Sequence, residues 1–187
     1  ESAGSDPGPA CYGRGGMAPT LTDANLVLKR LPSRGLLGGS MPLDARAAHA
    51  AVALLGRKLG LSSQQTALGI VRVVESSLEN AVRSLVAGRG LTFRDFALLV
   101  FGGAGGLHAC GLAGRLGIRR ITVPPDPGAF SAMGLAFSPC IWESSRTVLR
   151  RSRAFDASGI DALLRPMLRE GRSRVLKESG TSARLRI

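Results

Sequence analysis

One stretch constrains this chain more than any other: DFALLVFGGAGGLHACGLAGRLGIRRITVPPDPGAFSAMGLAF, residues 95–137. Phe96 to Phe101 is a continuous apolar run of strand length, the pattern of a parallel strand buried on both faces. Gly102-Gly103-Ala104-Gly105-Gly106 follows at once. Leu107 to Leu116 then reads as a helix with small residues (Ala109, Gly111, Ala113, Gly114) on a close-packing face, ended by Gly117. Ile118 to Val123 reads as a second strand, stopped by Pro124-Pro125. The stretch predicts a βαβ unit with a glycine-rich turn at the carboxyl end of its first strand, where α/β sheets bind ligands. Phe130 to Phe137 predicts the first turns of a further helix, with Ser131 as its candidate cap.

Helices precede and follow this unit. Residues 1–20 hold no periodic pattern, and Pro and Gly punctuate them as a loop. A short helix over LVLKRL follows, with Thr22 or Asp23 as its cap. Residues 44–59 predict a helix with Asp44 as N-cap and Gly60 as its stop. Residues 62–88 predict a longer one, opened by the capping box Ser62-x-x-Gln65. Leu68, Val71, Val74, Leu78, Val82 and Leu85 recur on its apolar face, and Arg72, Glu75, Glu79 and Arg83 form the opposite one. A last helix begins near Ser158-x-x-Asp161, with Ile160, Leu164, Met167 and Leu168 on one face and Pro166 inside. The texture changes after Pro139, which predicts domains at 1–140 and 141–187; residues 141–155 read as a strand pair or linker. No internal repeat is present. The chain opens on Glu1 in a loop and stops after the strand-like ARLRI, the expectation for a fragment of a longer protein.

The 187 residues carry a net charge of +12, from 25 Lys+Arg against 13 Asp+Glu. The charge is spread, densest after residue 140 and tightest from Arg146 to Arg153. With one Trp, one Tyr and no RNA- or DNA-reading motif, it reads as a solvated or covered surface rather than a nucleic-acid interface. Cys11, Cys110 and Cys140 show neither zinc-ligand nor paired disulfide spacing, and read as free thiols of a cytoplasmic protein. No run of 18 apolar residues spans a membrane.

The glycine turn admits several chemistries. A phosphate-binding GxxxxGK[ST] loop fails, because counted from Gly102 its second glycine falls at position 107, which is Leu. A dinucleotide fingerprint fails too, because His108 stands where its third glycine is needed. A nucleotide base or ribose lying against the strand end remains, since missing Cβ atoms admit a ligand and the next helix offers free N–H groups. A tight turn without a ligand remains as well. His108, in the first helical turn, either touches such a ligand or serves the structure; His49 reads as structural. Asp6 and Asp23 either serve a divalent cation or cap turns. Cys11 lies near Arg14, which would favour a thiolate nucleophile; no Ser/His/Asp or Cys/His set assembles around it.

SAGSDPGPACYGRGG followed by PTLTDANLVLKRL resembles the central signature of the hydantoinase A / 5-oxoprolinase family. LVFGGAGGLHACGLAGRLGI with VPPDPGAFSAMGLAFS resembles its later signature, in the same order and spacing. Departures are Gly106, where the family usually has proline, ESSLENAV before the glycine stretch, and PCIWESS after Ser138.

The resemblance implies an α/β chain, part of an actin/Hsp70-like (RNase H-like) ATPase domain, with helices flanking the βαβ unit. Residues 1–140 would be part of the second RNase H-like half, and 141–187 the start of a C-terminal extension. It implies ATP, with magnesium, as cofactor, and ring opening of 5-oxoproline, hydantoin or a related lactam, or carboxylation of a ketone. A hydantoinase B-type subunit or domain is the implied partner. Gly102, Gly103, Ala104 and Gly105 would lie against the adenosine. Asp6, Cys11, Tyr12, Thr22, Asp23, Asn25 and His108 would shape the active-site cleft, without assigned catalytic roles. Neither DPGPA nor DPGAF follows an apolar strand as a phosphate loop of this fold does, so both loops are expected before Glu1 and the chain alone is expected to be inactive. The alternative is a non-catalytic scaffold or interaction module of the same fold.

Overall fold

In a computed structural model that describes residues 2–32, 34–149 and 157–179, the helices before the glycine turn form between local stop and start signals. Helix α1 is Leu21–Val27. Its N-cap is Thr20, whose hydroxyl accepts from the Asp23 N–H, while Asp23 stands at the third position of a capping box. The expected helix over LVLKRL is thus displaced toward the N-terminus and ends at Val27, and its cap shifts by two residues or more, because Asp23 answers the cap rather than being it. Helix α2, Ala45–Leu59, starts where the Asp44 carboxylate accepts from the Arg46 and Ala47 N–H groups, and ends at left-handed Gly60. Helix α3, Ser63–Val86, opens with the Ser62/Gln65 capping box. These caps satisfy N–H groups that no helical carbonyl reaches.

The three helices pack on one another around small side chains. Ala24, Ala48 and Ala67 are fully buried, with Val52, Val71 and Cys11 beside them. Alanine at the contacts lets the backbones approach closely, and each fully buried valine contributes about 1.5–3 kcal/mol. Helix α3 does not turn its whole expected apolar face inward. Its buried residues are Thr66, Ala67, Val71 and Glu75, while Leu78 and Leu85 are exposed.

The βαβ unit forms as its pattern predicts. Strand β1, Ala97–Leu99, runs parallel to β2, Arg120–Thr122, with Leu98 opposite Ile121. Helix α4, Gly105–Leu116, connects them and ends at left-handed Gly117. It packs on α3 and β2, and a second small core gathers Leu112, Ala113, Leu116 and Ile118. The expectation of a strand buried on both faces does not hold: Phe96, Leu99 and Phe101 are exposed and only Val100 is buried. Parallel strands are buried when further layers cover both faces, and two three-residue strands with one crossover helix do not supply them. Helix α5, Phe130–Phe137, follows, and Ser131 lies inside it rather than capping it.

The chain divides into two compact units, Glu1–Ser131 and Ala132–Ile187. In the second, helix α6, Ala157–Ser179, carries Pro166 within it, and the Trp142 ring lies against buried Gly171. Residues 141–149 form no regular element, and Ile160, Leu164 and Leu168 are exposed. The strand-like 183–187 and most of the arginine run lie outside the described residues. No helix among the described residues is long and apolar enough to cross a membrane.

Val71→Ala removes a fully buried side chain from the three-helix core. It is expected to cost about 2 kcal/mol, read as a lowered urea midpoint with an unchanged slope.

Candidate functional site

The loop before α1 is organised by one buried carboxylate. Asp23 Oδ1 accepts from the Cys11 N–H at 2.8 Å, and Oδ2 from the Ala10 N–H at 3.2 Å. Oδ2 also accepts from the Thr20 N–H at 2.9 Å and the Thr20 hydroxyl at 2.7 Å. With four donors around it and no solvent exposure, this carboxylate is committed to the loop. The Cys11 carbonyl in turn accepts from the Asp44 N–H at 2.8 Å, which ties the loop to the start of α2.

The setting of Cys11 disfavours a thiolate, against the expectation from Arg14. Burial, together with the Asp23 carboxylate, pushes its thiol up to about 12, so it stays protonated at neutral pH. Arg14 instead donates to the Ser5 carbonyl. Asn25 is buried; its amide donates to the Leu21 carbonyl at 3.0 Å while its Oδ1 has no hydrogen-bond partner. Asp6 is exposed. Tyr12 and Thr22 line a cavity of about 550 Å³ beside Pro9 and Thr20. Among the described residues, no group of three or more His, Cys, Asp or Glu side chains could hold a metal ion.

The glycine turn stands at the carboxyl end of β1. Gly102 has a φ of +87°, and its N–H donates to the Pro127 carbonyl at 2.7 Å. That conformation explains Gly102 by itself. Gly103 is different: its φ is ordinary and a Cβ there would meet nothing within 4 Å. Ala104 is the N-cap of α4 and supplies no side-chain cap, and the Leu107 N–H donates back to the Ala104 carbonyl at 3.1 Å.

His108 follows in the first turn of α4. It is buried, neither ring nitrogen has a hydrogen-bond partner, and it lines an apolar cleft of about 410 Å³ with Val74, Leu78, Phe101 and Ala104. Phe101 also meets Phe130, ring centroids 5.3 Å apart. The structure therefore brings Gly102 to Gly105 together with His108, and separately brings Cys11, Tyr12, Thr22, Asp23 and Asn25 together around α1. Sequence reasoning missed Glu75. Placed by periodicity on the solvated face of α3, it is buried and faces His108 Nδ1 at 3.8 Å. The local sequence carries no signal for this, because its partners come from other elements.

The profile of the hydantoinase/oxoprolinase family matches residues 1–144. Caprolactamase subunit alpha of Pseudomonas jessenii is 39% identical over 151 residues, covering 80% of this chain and 22% of that subunit. The crystal structure of the ATP-dependent caprolactamase from the same organism superposes with a TM-score of 0.69 at 33% identity, over 100% of this chain and 27% of that one. The nucleotide-free structure of acetone carboxylase superposes with a TM-score of 0.70 at 27% identity, over 94% and 26%. The chain thus spans about a quarter of the length of these relatives.

Two outcomes are expected. Asp23→Asn replaces one acceptor oxygen with a donor facing buried N–H groups and is expected to cost about 2–4 kcal/mol in urea unfolding. Alkylation of the folded chain at neutral pH should label exposed Cys110 first. Cys140, whose thiol is raised by its hydrogen bond to Glu178, should follow, and Cys11 should be labelled only on unfolding.

Proposed function

The chain belongs to the hydantoinase/oxoprolinase family, with an α/β fold that is part of an actin/Hsp70-like ATPase domain, and from that premise we propose that it forms part of the nucleotide-binding half of an ATP-dependent enzyme opening a cyclic amide. The observation that carries this reading is Gly103. Nothing in the fold requires a glycine there, yet a side chain would project into the space beside the turn. The adenosine of ATP lies against Gly102, Gly103, Ala104 and Gly105 in this reading, with the uncapped start of α4 beside it.

When bound, ATP would supply its γ-phosphoryl group to the amide oxygen and leave as ADP; water would then add at the ring carbon, the C–N bond would break, and hydrolysis would release the phosphate. The substrate class is 5-oxoproline, hydantoin or a related lactam, in line with what the caprolactamase similarity suggests. The likeness to acetone carboxylase favours a second reading, in which the activated oxygen belongs to a ketone or its carboxylating partner. Asp23 and Cys11 hold the loop and the start of α1, from which Tyr12 and Thr22 line the cavity; Asn25 leaves a free acceptor, and in this reading exposed Asp6 serves the active-site side and His108 the adenosine side. Magnesium would travel with the triphosphate. A hydantoinase B-type subunit or domain is the partner this reading requires. Residues 1–187 contain no Asp-x-Gly-x-Thr after an apolar strand, so by themselves they turn over no ATP.

In the whole protein with its partner subunit, ATP hydrolysis should rise on adding a cyclic amide; no ATPase with any cyclic amide or ketone would leave the scaffold alternative. A Cβ at position 103 meets no protein atom within 4 Å, so Gly103→Val should leave the melting temperature in place while weakening ATP binding about tenfold, or about 1.4 kcal/mol. Unchanged nucleotide affinity would remove the adenosine role.

A further inference from the structure

Glu75 is the buried charge that the reading above leaves unused. Its side chain is 10% exposed. Oε1 lies 3.8 Å from His108 Nδ1 and 3.8 Å from Arg30 Nη1, and Oε2 lies 3.7 Å from Arg115 Nε. These are ion-pair rather than hydrogen-bond distances, so the carboxylate acts by its field on three groups at once.

Its seat is a notch in α4. A Cβ on Gly111 would collide with all three atoms of the Glu75 carboxyl group, so glycine is what lets the carboxylate in. His108, Gly111 and Arg115 are spaced by three and four residues, which places them on one face of α4. His108 is in the first turn of α4 and Arg115 in the last. One carboxylate on α3 therefore meets α4 near both of its ends and in its middle. A helix engaged that way can neither rotate nor slide without separating a charge from its partner inside a partly dry site.

Arg30 extends the arrangement. It stands just after α1, donates to the Leu107 carbonyl at 3.5 Å, and faces Glu75 with the same nitrogen. The charged or titratable groups facing Glu75 are thus Arg30, His108 and Arg115. Glu79, one turn on, shares Arg115 at 3.4 Å and pairs with Arg83 at 2.8 Å. The glycine turn is the direct N-terminal continuation of α4, so whatever sets α4 sets the turn.

We propose that Glu75 is a positioning residue for the nucleotide site: seated against Gly111 and facing His108 and Arg115, its carboxylate fixes α4, and with it the Gly102–Gly105 turn, and through Arg30 ties that turn to the α1 segment. The proposal rests on the reading that nucleotide meets this turn, but its structural half can be measured without nucleotide.

The experiment uses the whole protein with its partner subunit and compares Glu75→Gln, Arg30→Ala and Arg30→Lys. Asp44→Ala serves as control, because it removes the α2 cap without touching α4. Glu75→Gln and Arg30→Ala should raise KM for ATP about three- to tenfold with kcat little changed. Both should speed deuterium exchange at the amides of residues 102–109, and Arg30→Lys should restore both readouts. Asp44→Ala should lower the melting temperature while moving neither. The proposal is overturned if exchange at 102–109 is unchanged in Glu75→Gln and Arg30→Ala, or if KM and exchange track the melting temperature equally in all variants. Gly103→Val separates the two readings. If it leaves nucleotide affinity unchanged, the nucleotide role of the turn falls, and exchange alone decides whether Glu75 positions it.

Discussion

The Asp23 carboxylate is the interaction on which the first unit depends. It accepts the N–H groups of Ala10, Cys11 and Thr20 and the Thr20 hydroxyl. Those groups belong to a loop with little regular structure, and the two at Ala10 and Cys11 are buried. A buried N–H without a partner costs about 1–3 kcal/mol, so a loop of this kind can enter a core only if something answers its donors. One carboxylate does so, and because it sits at the third position of α1 it starts that helix as well. Cys11 then becomes a small apolar member of the core shared by α1, α2 and α3. Its high thiol pKa is a by-product of the same packing.

The glycine turn depends on a different principle. The βαβ unit places it at the carboxyl end of a parallel strand, yet the strands around it are short and largely exposed. Phe96, Leu99 and Phe101 are partly exposed in a chain that spans about a quarter of its relatives' length. The turn and the helix behind it are nonetheless complete. Their geometry comes from contacts within the unit: Gly102 on Pro127, Ile118 on Ala113, and α4 on α3.

Charge behaves in two ways in this molecule. The arginines among the described residues are exposed, and the pairs along α6, such as Arg165 with Asp161 and Arg174 with Glu170, are solvated i,i+4 contacts. Pairs of that type contribute less than about 1 kcal/mol and weaken with salt. The charges that organise structure are few and buried, Asp23 and Glu75 above all. Net charge gave no hint of them, because it weighs every ionised group alike, whereas burial decides how strongly each one acts.

Much was legible from sequence. Asp44, the Ser62/Gln65 box, Gly60 and Gly117 mark the helix ends they predict, since capping is settled within three or four residues of chain. The parallel pairing of the strands followed from an apolar run, a glycine turn and a helix of crossover length. The two long signatures placed the family. Other features were not legible. Thr20 rather than Thr22 or Asp23 caps α1, because Asp23 was claimed by loop N–H groups 12 and 13 residues earlier. Glu75 reads as a solvated residue by helical period, and only the approach of α4 at Gly111 buries it. By itself, the sequence determined where elements start, stop and reverse, because those choices rest on neighbours along the chain. The tertiary structure alone decided which polar groups went inside and what answers them, because each answer comes from residues far away in sequence, and burial exists only once the elements have packed.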